Sequence, residues 1–203
     1  MKRQDRAWED GAWTNQPVAV RRAGSALVVE AAKGSDFWEK TLYGFERASG
    51  HALLAPFPEQ SAVEVSFELR GFDALYDQAG VMLWGSRTQW IKAGVEINDG
   101  VPCVGAVVTD GYSDWSLAPV PEWQGRIVTI RASRTKDAVI VRATATGQPW
   151  RTIRVARFAP VAAAQAGPLV CAPERAGLQV RFTRWAVTEA DHELHWLPSA
   201  PDP

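Results

Sequence analysis

QWIKAGVEINDG, residues 89–100, separates two surfaces one residue at a time. Read as a strand of period two, Ile91, Ala93, Val95 and Ile97 share one face, and Trp90, Lys92, Gly94 and Glu96 share the other. The first set is a core face. The second mixes an indole, a cation, a bare backbone position and a carboxylate, where a solvated sheet face would carry Thr, Ser, Lys and Glu without Trp. This row is expected to form the floor of a binding groove.

The neighbouring hairpins register against this strand. With residues 85–89 as a five-residue loop, Trp84 faces Trp90, Met82 faces Lys92, Gly80 faces Gly94 and Gln78 faces Glu96, while Leu83, Val81 and Ala79 meet Ile91, Ala93 and Val95. A one-residue slip would mix the two sets, so the core fixes the pairing. Asp99-Gly100 is a preferred pair for a two-residue type I′ turn, which puts Val104, Ala106 and Val108 on the core side and Gly105 beside Gly94. Asp110-Gly111 reads as a second such turn, placing Asp114 beside Val107 on the groove side and sending Trp115 and Leu117 into the core. The result is a row of three glycines, Gly80, Gly94 and Gly105, across one face. It is either a trough open to a ligand or a seat for side chains of a covering loop. Lys92, Met82 and Asp114 wall one side, Glu96 and Gln78 the other, and Trp84 and Trp90 stand at one end.

Strand-like runs bounded by Gly, Pro, Asn and Asp continue from residue 25 to residue 188, with no convincing helical period, linker or repeat. The expectation is an all-β chain: a two-sheet antiparallel jelly-roll sandwich forming one domain over residues 1–203, with its core at about 10–190 and a tail at 191–203. At 203 residues the chain can bury a good core. Its 22 Lys+Arg against 23 Asp+Glu argue against a nucleic-acid partner. Ten tryptophans beside three tyrosines favour a ligand platform. Cys103 and Cys171 make no disulfide framework or metal spacing, MKRQDRAWEDGAW carries no leader-like apolar run, and no stretch spans a membrane. Cytoplasmic location, no cofactor and no metal are expected. His192 and His195, with Asp191 and Glu193, read as tail surface, and the arginines between 126 and 157 as the solvated outer face of the second sheet or a contact for a protein or anionic partner.

Aromatic rings beside carboxylate, amide and ammonium groups suit a sugar, whose C–H face stacks on an indole while its hydroxyls meet the polar groups. Trp90 or Trp84 would be the platform. Lys92 and Asp114, two strands and roughly 9–10 Å apart, would grip the ligand or pair with each other. Lys92 and Glu96 lie about 13 Å apart along one strand and make no catalytic pair. Were the chain an enzyme, Glu96 and Asp114 across strands would be its acid and base. Recognition without catalysis is the better fit.

Several motifs then converge: WTNQP at 13–17, SDFWEKTLYGF at 35–45, GHALL at 50–54, YDQAGVML at 76–83, WIKAGVE at 90–96 and SDWS at 113–116. In this order, over about residues 10–190, they resemble a family of unknown function labelled "regulation of enolase", with a concanavalin A-like fold. Two departures stand out: Gln16 replaces the glutamate of the family's WxNEP, and Trp84-Gly85-Ser86 replaces an aspartate-rich loop. The resemblance implies the jelly roll and singles out Asp36, Trp38, Lys40, Tyr43, Asp77, Gln78, Trp90, Lys92, Glu96 and Asp114. Asp36, Trp38 and Lys40 share one face by alternation and would form a neighbouring strand of the groove. The ligand set is therefore Trp38, Lys40, Tyr43, Gln78, Trp90, Lys92, Glu96 and Asp114, taking a saccharide or sugar-like metabolite. A glycoside-processing enzyme and a protein-interaction module regulating a metabolic enzyme are the alternatives.

Overall fold

Alternation over residues 78–98 closes the central hairpin in the expected register. Strand Gln89–Asn98 pairs with Gln78–Ser86 so that Trp90 faces Trp84, Lys92 faces Met82, Gly94 faces Gly80 and Glu96 faces Gln78. The loop is tighter than five residues. Ser86 pairs with Gln89, and an irregularity between Gln89 and Trp90 takes up the slack without shifting the register. Asp99 and Gly100 both adopt positive φ, 51° and 77°, and join Asn98 to Val101 as a type I′ turn.

The next turn departs from expectation. Thr109 pairs with Ser113, so the connection has three residues, Asp110, Gly111 and Tyr112, and of these only Gly111 has a positive φ. The extra residue inverts the last strand, Ser113–Pro119, relative to the two-residue reading. Trp115 now lies opposite Val107 and Leu117 opposite Gly105, on the face reserved for Asp114. Asp114 lies opposite Val108, exposed, with its carboxylate 3.0 Å from the Arg154 guanidinium of the other sheet.

The computed structural model describes residues 3–158, 163–191 and 193–195. Two antiparallel sheets stack face to face. The front sheet runs Ser113–Pro119, Val101–Asp110, Gln89–Asn98, Gln78–Ser86, Gln165–Cys171, His51–Pro56, Ala12–Trp13. The back sheet runs Arg151–Arg157, Ala138–Ala145, Ile127–Thr135, Ser61–Glu68, Gln179–Glu189, Ala26–Glu30, Ala19–Ala23, with Gln4–Asp5 also paired to Gln179–Glu189. Among the described residues there is no α-helix, only 3-10 turns at Trp8–Asp10 and Pro121–Trp123. Leu83, Ile91, Ala93 and Val95 of the front sheet pack against Val65, Phe67, Ile130 and Val141 of the back sheet in the main core.

A separate hairpin, Phe37–Glu39 with Glu46–Ala48, lies over the outer face of the front sheet. It joins neither sheet, so residues 36–40 form a flap and not the neighbouring strand expected from alternation. Beneath it is a second apolar cluster that includes Phe37, Met82, Trp90 and Leu169. The Phe37 ring lies 5.9 Å from both Trp84 and Trp90. Trp90 is 0% exposed and therefore a packing residue. The glycine row has a backbone reason too. A methyl group on Gly80 would run into the Ala93 carbonyl, and one on Gly94 into that of Ala79. The strands approach too closely for any side chain, and only a pit of about 20 Å³ remains above them.

The back sheet corrects the reading of the arginines. Arg131 and Arg142 are cross-strand neighbours, and both are buried. Arg131 donates to Glu64 Oε1 at 2.9 Å and to Asp191 Oδ1 at 2.7 Å; Arg142 pairs with the other Asp191 oxygen and donates to the Leu194 carbonyl at 2.7 Å. Ser133 Oγ accepts from the Asp191 N–H. Residues 188–191 and 193–194 thus close over the outer face of this sheet, and Asp191 is the counter-ion of two guanidiniums, not tail surface. His195 is exposed, while His192 and residues 196–203 lie outside the described residues.

Removing Asp191 leaves the buried Arg142 without a carboxylate and Arg131 with Glu64 alone, which costs about 3–5 kcal/mol. Asp191→Ala should lower the urea midpoint by that energy divided by an unchanged m-value. A change below about 1 kcal/mol would mean that the arginines find water instead.

Candidate functional site

The flap is held by polar contacts at several points. Lys92 Nζ donates to Asp36 Oδ1 at 2.8 Å and to Gln78 Oε1 at 2.9 Å. The Glu39 N–H donates to Ser113 Oγ, and the Glu39 carboxylate pairs with Arg87. The amide of Asn15 donates to the carbonyls of Ala48 and Gly50, each at 2.8 Å, which explains the WTNQP motif as a clamp on the returning chain. Gln16 is exposed and outside the cavity lining, so the departure from the family motif there leaves the site untouched.

Between flap and sheet lies a cavity of about 210 Å³. Its floor is Gln78, Lys92 and Glu96, its inner wall Val107 and Trp115, and its roof Asp36, Trp38, Tyr43, Phe45 and Arg47. Tyr76 closes one side and Pro173-Glu174 another. The hydroxyls of Tyr43 and Tyr76 hydrogen-bond across the mouth, tying the flap tip to the loop before Gln78. Asp77, fully buried, accepts from the N–H groups of Asp73 and Ala74 and from Arg175, fixing that loop against the chain at Glu174.

Of the residues expected in the site, Trp38, Tyr43, Gln78, Lys92 and Glu96 line the cavity, and so does Asp36. Three do not. Trp90 is sealed beneath Phe37. Lys40 turns outward in a left-handed conformation, φ 59°, and pairs with Glu46 at 3.3 Å, because the strand alternation stops at Glu39. Asp114 faces away after the three-residue turn, so neither the Lys92–Asp114 grip nor the Glu96–Asp114 acid–base pair forms. Trp115, Tyr76, Phe45, Arg47 and Glu174 were missed. Trp115 was hidden by one residue of register, and the rest come from loops or from the flap, whose placement is tertiary.

The charges at the floor are unequal in their satisfaction. Burial alone would depress the Lys92 ammonium, but the Asp36 carboxylate, with a smaller contribution from Glu96, outweighs it and holds the pKa above the ordinary lysine value. Lys92 is therefore a permanent cation. Glu96 goes the other way. Desolvation pushes its pKa up to about 7, against the opposing pull of Lys92 and of the Trp115 indole N–H, and Asp36 pushes it further up. Its Oε1 is buried and accepts no hydrogen bond among the described residues. Tyr76 is pushed up to about 12, first by its hydrogen bond to Tyr43. No group of three or more His, Cys, Asp or Glu among the described residues is arranged to hold a metal ion.

Because the folded-state pKa of Glu96 lies above its unfolded value, the folded state binds the extra proton. That stabilisation is present at low pH and lost as pH rises towards 7 and beyond. The stability of wild type relative to Glu96→Gln should fall by on the order of 2 kcal/mol between pH 5 and pH 8. Parallel urea titrations across that range check it, and a constant difference would show that Glu96 titrates as an ordinary carboxyl.

Known proteins place this architecture. The chain is 36% identical over 192 residues to "Regulation of enolase protein 1" of Saccharomyces cerevisiae, covering 91% of this chain and 94% of that protein. A crystal structure of a functionally unknown protein from the same yeast superposes with a TM-score of 0.84 at 34% identity, covering 90% of this chain and 97% of that one. A GH43 protein of Bacillus licheniformis shares the sandwich fold, with a TM-score of 0.71 at 13% identity; the match covers 92% of this chain but only 38% of the GH43 chain. The family model described as "Protein of unknown function (DUF1349)" matches residues 13–190, and the chain belongs to that family.

Proposed function

We propose that the protein binds one small sugar-like molecule in the cavity beneath the flap, without turning it over. The observation that carries this reading is the lining itself. Aromatic side chains of Trp38, Tyr43, Tyr76 and Trp115 surround a floor of buried polar groups, Gln78, Lys92 and Glu96. Apolar ring faces and convergent donors and acceptors in one enclosed space match a polyhydroxylated ring. At about 210 Å³ the cavity is smaller than the roughly 300–1,000 Å³ that encloses drug-sized ligands, which limits the occupant to about one ring. Trp115 takes the stacking role once given to Trp90.

Catalysis is the weaker reading because Asp114 is out of reach and the carboxylate of the roof nearest the floor, Asp36, is committed to Lys92. Free, buried Cys103 and Cys171 support a reducing compartment such as the cytoplasm. No helix among the described residues is long and apolar enough to cross a membrane.

A second reading, a module that regulates a metabolic enzyme, draws on the name of the yeast relative and on the exposed apolar side chains of Leu42 at the flap tip and of Tyr112. It draws less on an arginine-rich face, since Arg131, Arg134 and Arg142 are buried while Arg126 and Arg157 are exposed and Arg151 and Arg154 half-buried. A change in enolase activity on adding the purified chain, lost in Leu42→Asp, would favour it.

Calorimetric titration of a panel of monosaccharides and their derivatives tests the leading reading. Saturable binding is expected, weakened at least tenfold in Trp115→Ala, with no product after prolonged incubation. If folded wild type binds no member of the panel, the proposal falls; turnover abolished by Glu96→Gln would replace it with an enzyme.

A further inference from the structure

The buried carboxylates of this protein divide sharply by their partners. Glu39 has Arg87, Glu64 has Arg3 and Arg131, Asp77 has Arg175, and Asp191 has Arg131 and Arg142. Asp36, nearly as enclosed, has Lys92. Glu96, 9% exposed, has no salt bridge among the described residues; one of its oxygens accepts nothing, as does Oδ1 of Asp77, but Asp77 has its guanidinium and Glu96 has none. It is also the buried acid at the base of the aromatic cavity. An unpaired carboxylate costs far more inside a protein than a paired one, so this vacancy of charge is the feature to explain.

The remaining charges along the cavity sharpen the point. Lys92 is spoken for by Asp36 and Gln78, and Arg47 lies at the roof with its guanidinium 4.6 Å from the Phe45 ring centroid. Against these two cations stand Asp36, Glu96 and Glu174, which leaves one net negative charge when Glu96 is ionised. Aromatic rings line the same space, and ring faces attract cations. A sugar acid would bring its anion towards Glu96 and Asp36. A neutral sugar would leave Glu96 holding its proton, whereas a cation gives the ionised carboxylate a partner.

We infer that the occupant of this cavity carries a protonated amino group received by the Glu96 carboxylate, and is an amino sugar or a closely similar hydroxylated amine. The inference rests on the cavity being the ligand site proposed above. The ammonium lies against the Glu96 carboxylate, ring hydroxyls meet Lys92 and Gln78, and Trp115 and Tyr76 flank the ring.

Binding of a cation draws Glu96 into its ionised form, so it expels the proton that the free protein holds. The groups around Glu96 do not obscure this. Lys92 on its own strand stays charged, Tyr76 beside the mouth is pushed up to about 12, and burial pushes the Cys103 thiol on the adjacent strand up. Asp36, Tyr43 and Arg47 face it from the flap, Asp99 from the turn and Glu174 from the opposite rim.

The test is isothermal calorimetry of the whole chain with glucosamine, N-acetylglucosamine, glucose, glucuronate and cyclohexylamine, at pH 6 in two buffers of different ionisation heat. Glucosamine should bind at least tenfold more tightly than its N-acetyl form, with release of close to one proton. Its affinity should rise about tenfold between pH 5 and pH 6. In Glu96→Gln both the proton release and the preference should vanish. If glucose, N-acetylglucosamine or glucuronate binds as well as glucosamine, or if binding is independent of buffer, the inference is overturned while the sugar reading stands. If cyclohexylamine binds and no sugar does, the site takes amines and the sugar reading falls. If nothing binds, both fall.

Discussion

A lysine ammonium buried between a sheet and a hairpin organises the flap-covered face of this molecule. Lys92 comes from the middle of the front sheet and Asp36 from the root of the flap, 56 residues earlier in sequence, and their contact at 2.8 Å fixes one against the other. Taking both charges out of water costs several kcal/mol per ion before attraction and hydrogen bonds repay it. An apolar pair of the same size would hold the flap as well or better, but in less defined positions. The ion pair and the Gln78 amide beside it specify one placement, in which Phe37 covers Trp84 and Trp90 and Glu39 meets Ser113. From that placement follow the roof of the cavity and the Tyr43–Tyr76 contact at its mouth.

Register is the second constraint, and it shows how finely a site can depend on a turn. The two-residue turn at Asp99-Gly100 and the three-residue turn at 110–112 both carry the dipeptide Asp-Gly. In the first, both residues adopt positive φ; in the second, Gly111 alone does. A strand has a side-chain period of two, so that one residue decides whether Asp114 or Trp115 enters the cavity. Trp115 enters. The polar surface becomes an aromatic wall, and Asp114 instead links the sheets through Arg154.

The sandwich was legible because alternating apolar residues leave few ways to bury both sheets. The central hairpin was legible down to its pairings, so Gln78, Lys92 and Glu96 were placed together from the chain alone. Asp36, Trp38 and Tyr43 were reachable only through the family motifs, since nothing in a local pattern says that residues 36–48 leave the sheets and lie across one of them. Tyr76, Arg47 and Glu174 sit on such tertiary connections and carry no periodic signal. The error over the arginines was avoidable. Antiparallel pairing puts Arg131 directly opposite Arg142, and two guanidiniums side by side on one face call for an anion. Asp191 was the acid available in a tail read as surface.

The same charge logic separates structure from function across the molecule. Glu39, Glu64, Asp77 and Asp191 each anchor a segment that would otherwise be loose, and each is neutralised by a guanidinium. Folding alone accounts for them. Glu96 anchors no separate segment: beyond the Trp115 indole N–H it receives, it lies within a strand already fixed on both sides by the Gln78–Ser86 and Val101–Asp110 ladders, where glutamine would fill the same volume without the cost of a buried charge. A sequence under pressure for stability alone has no use for a carboxylate there. The surrounding fold holds Glu96 in a cavity it destabilises, with Lys92 four residues away held by other partners. Among the buried acids, Glu96 alone lacks a cationic partner among the described residues, and it sits in one concave place, which is the physical ground for the proposal made of this cavity.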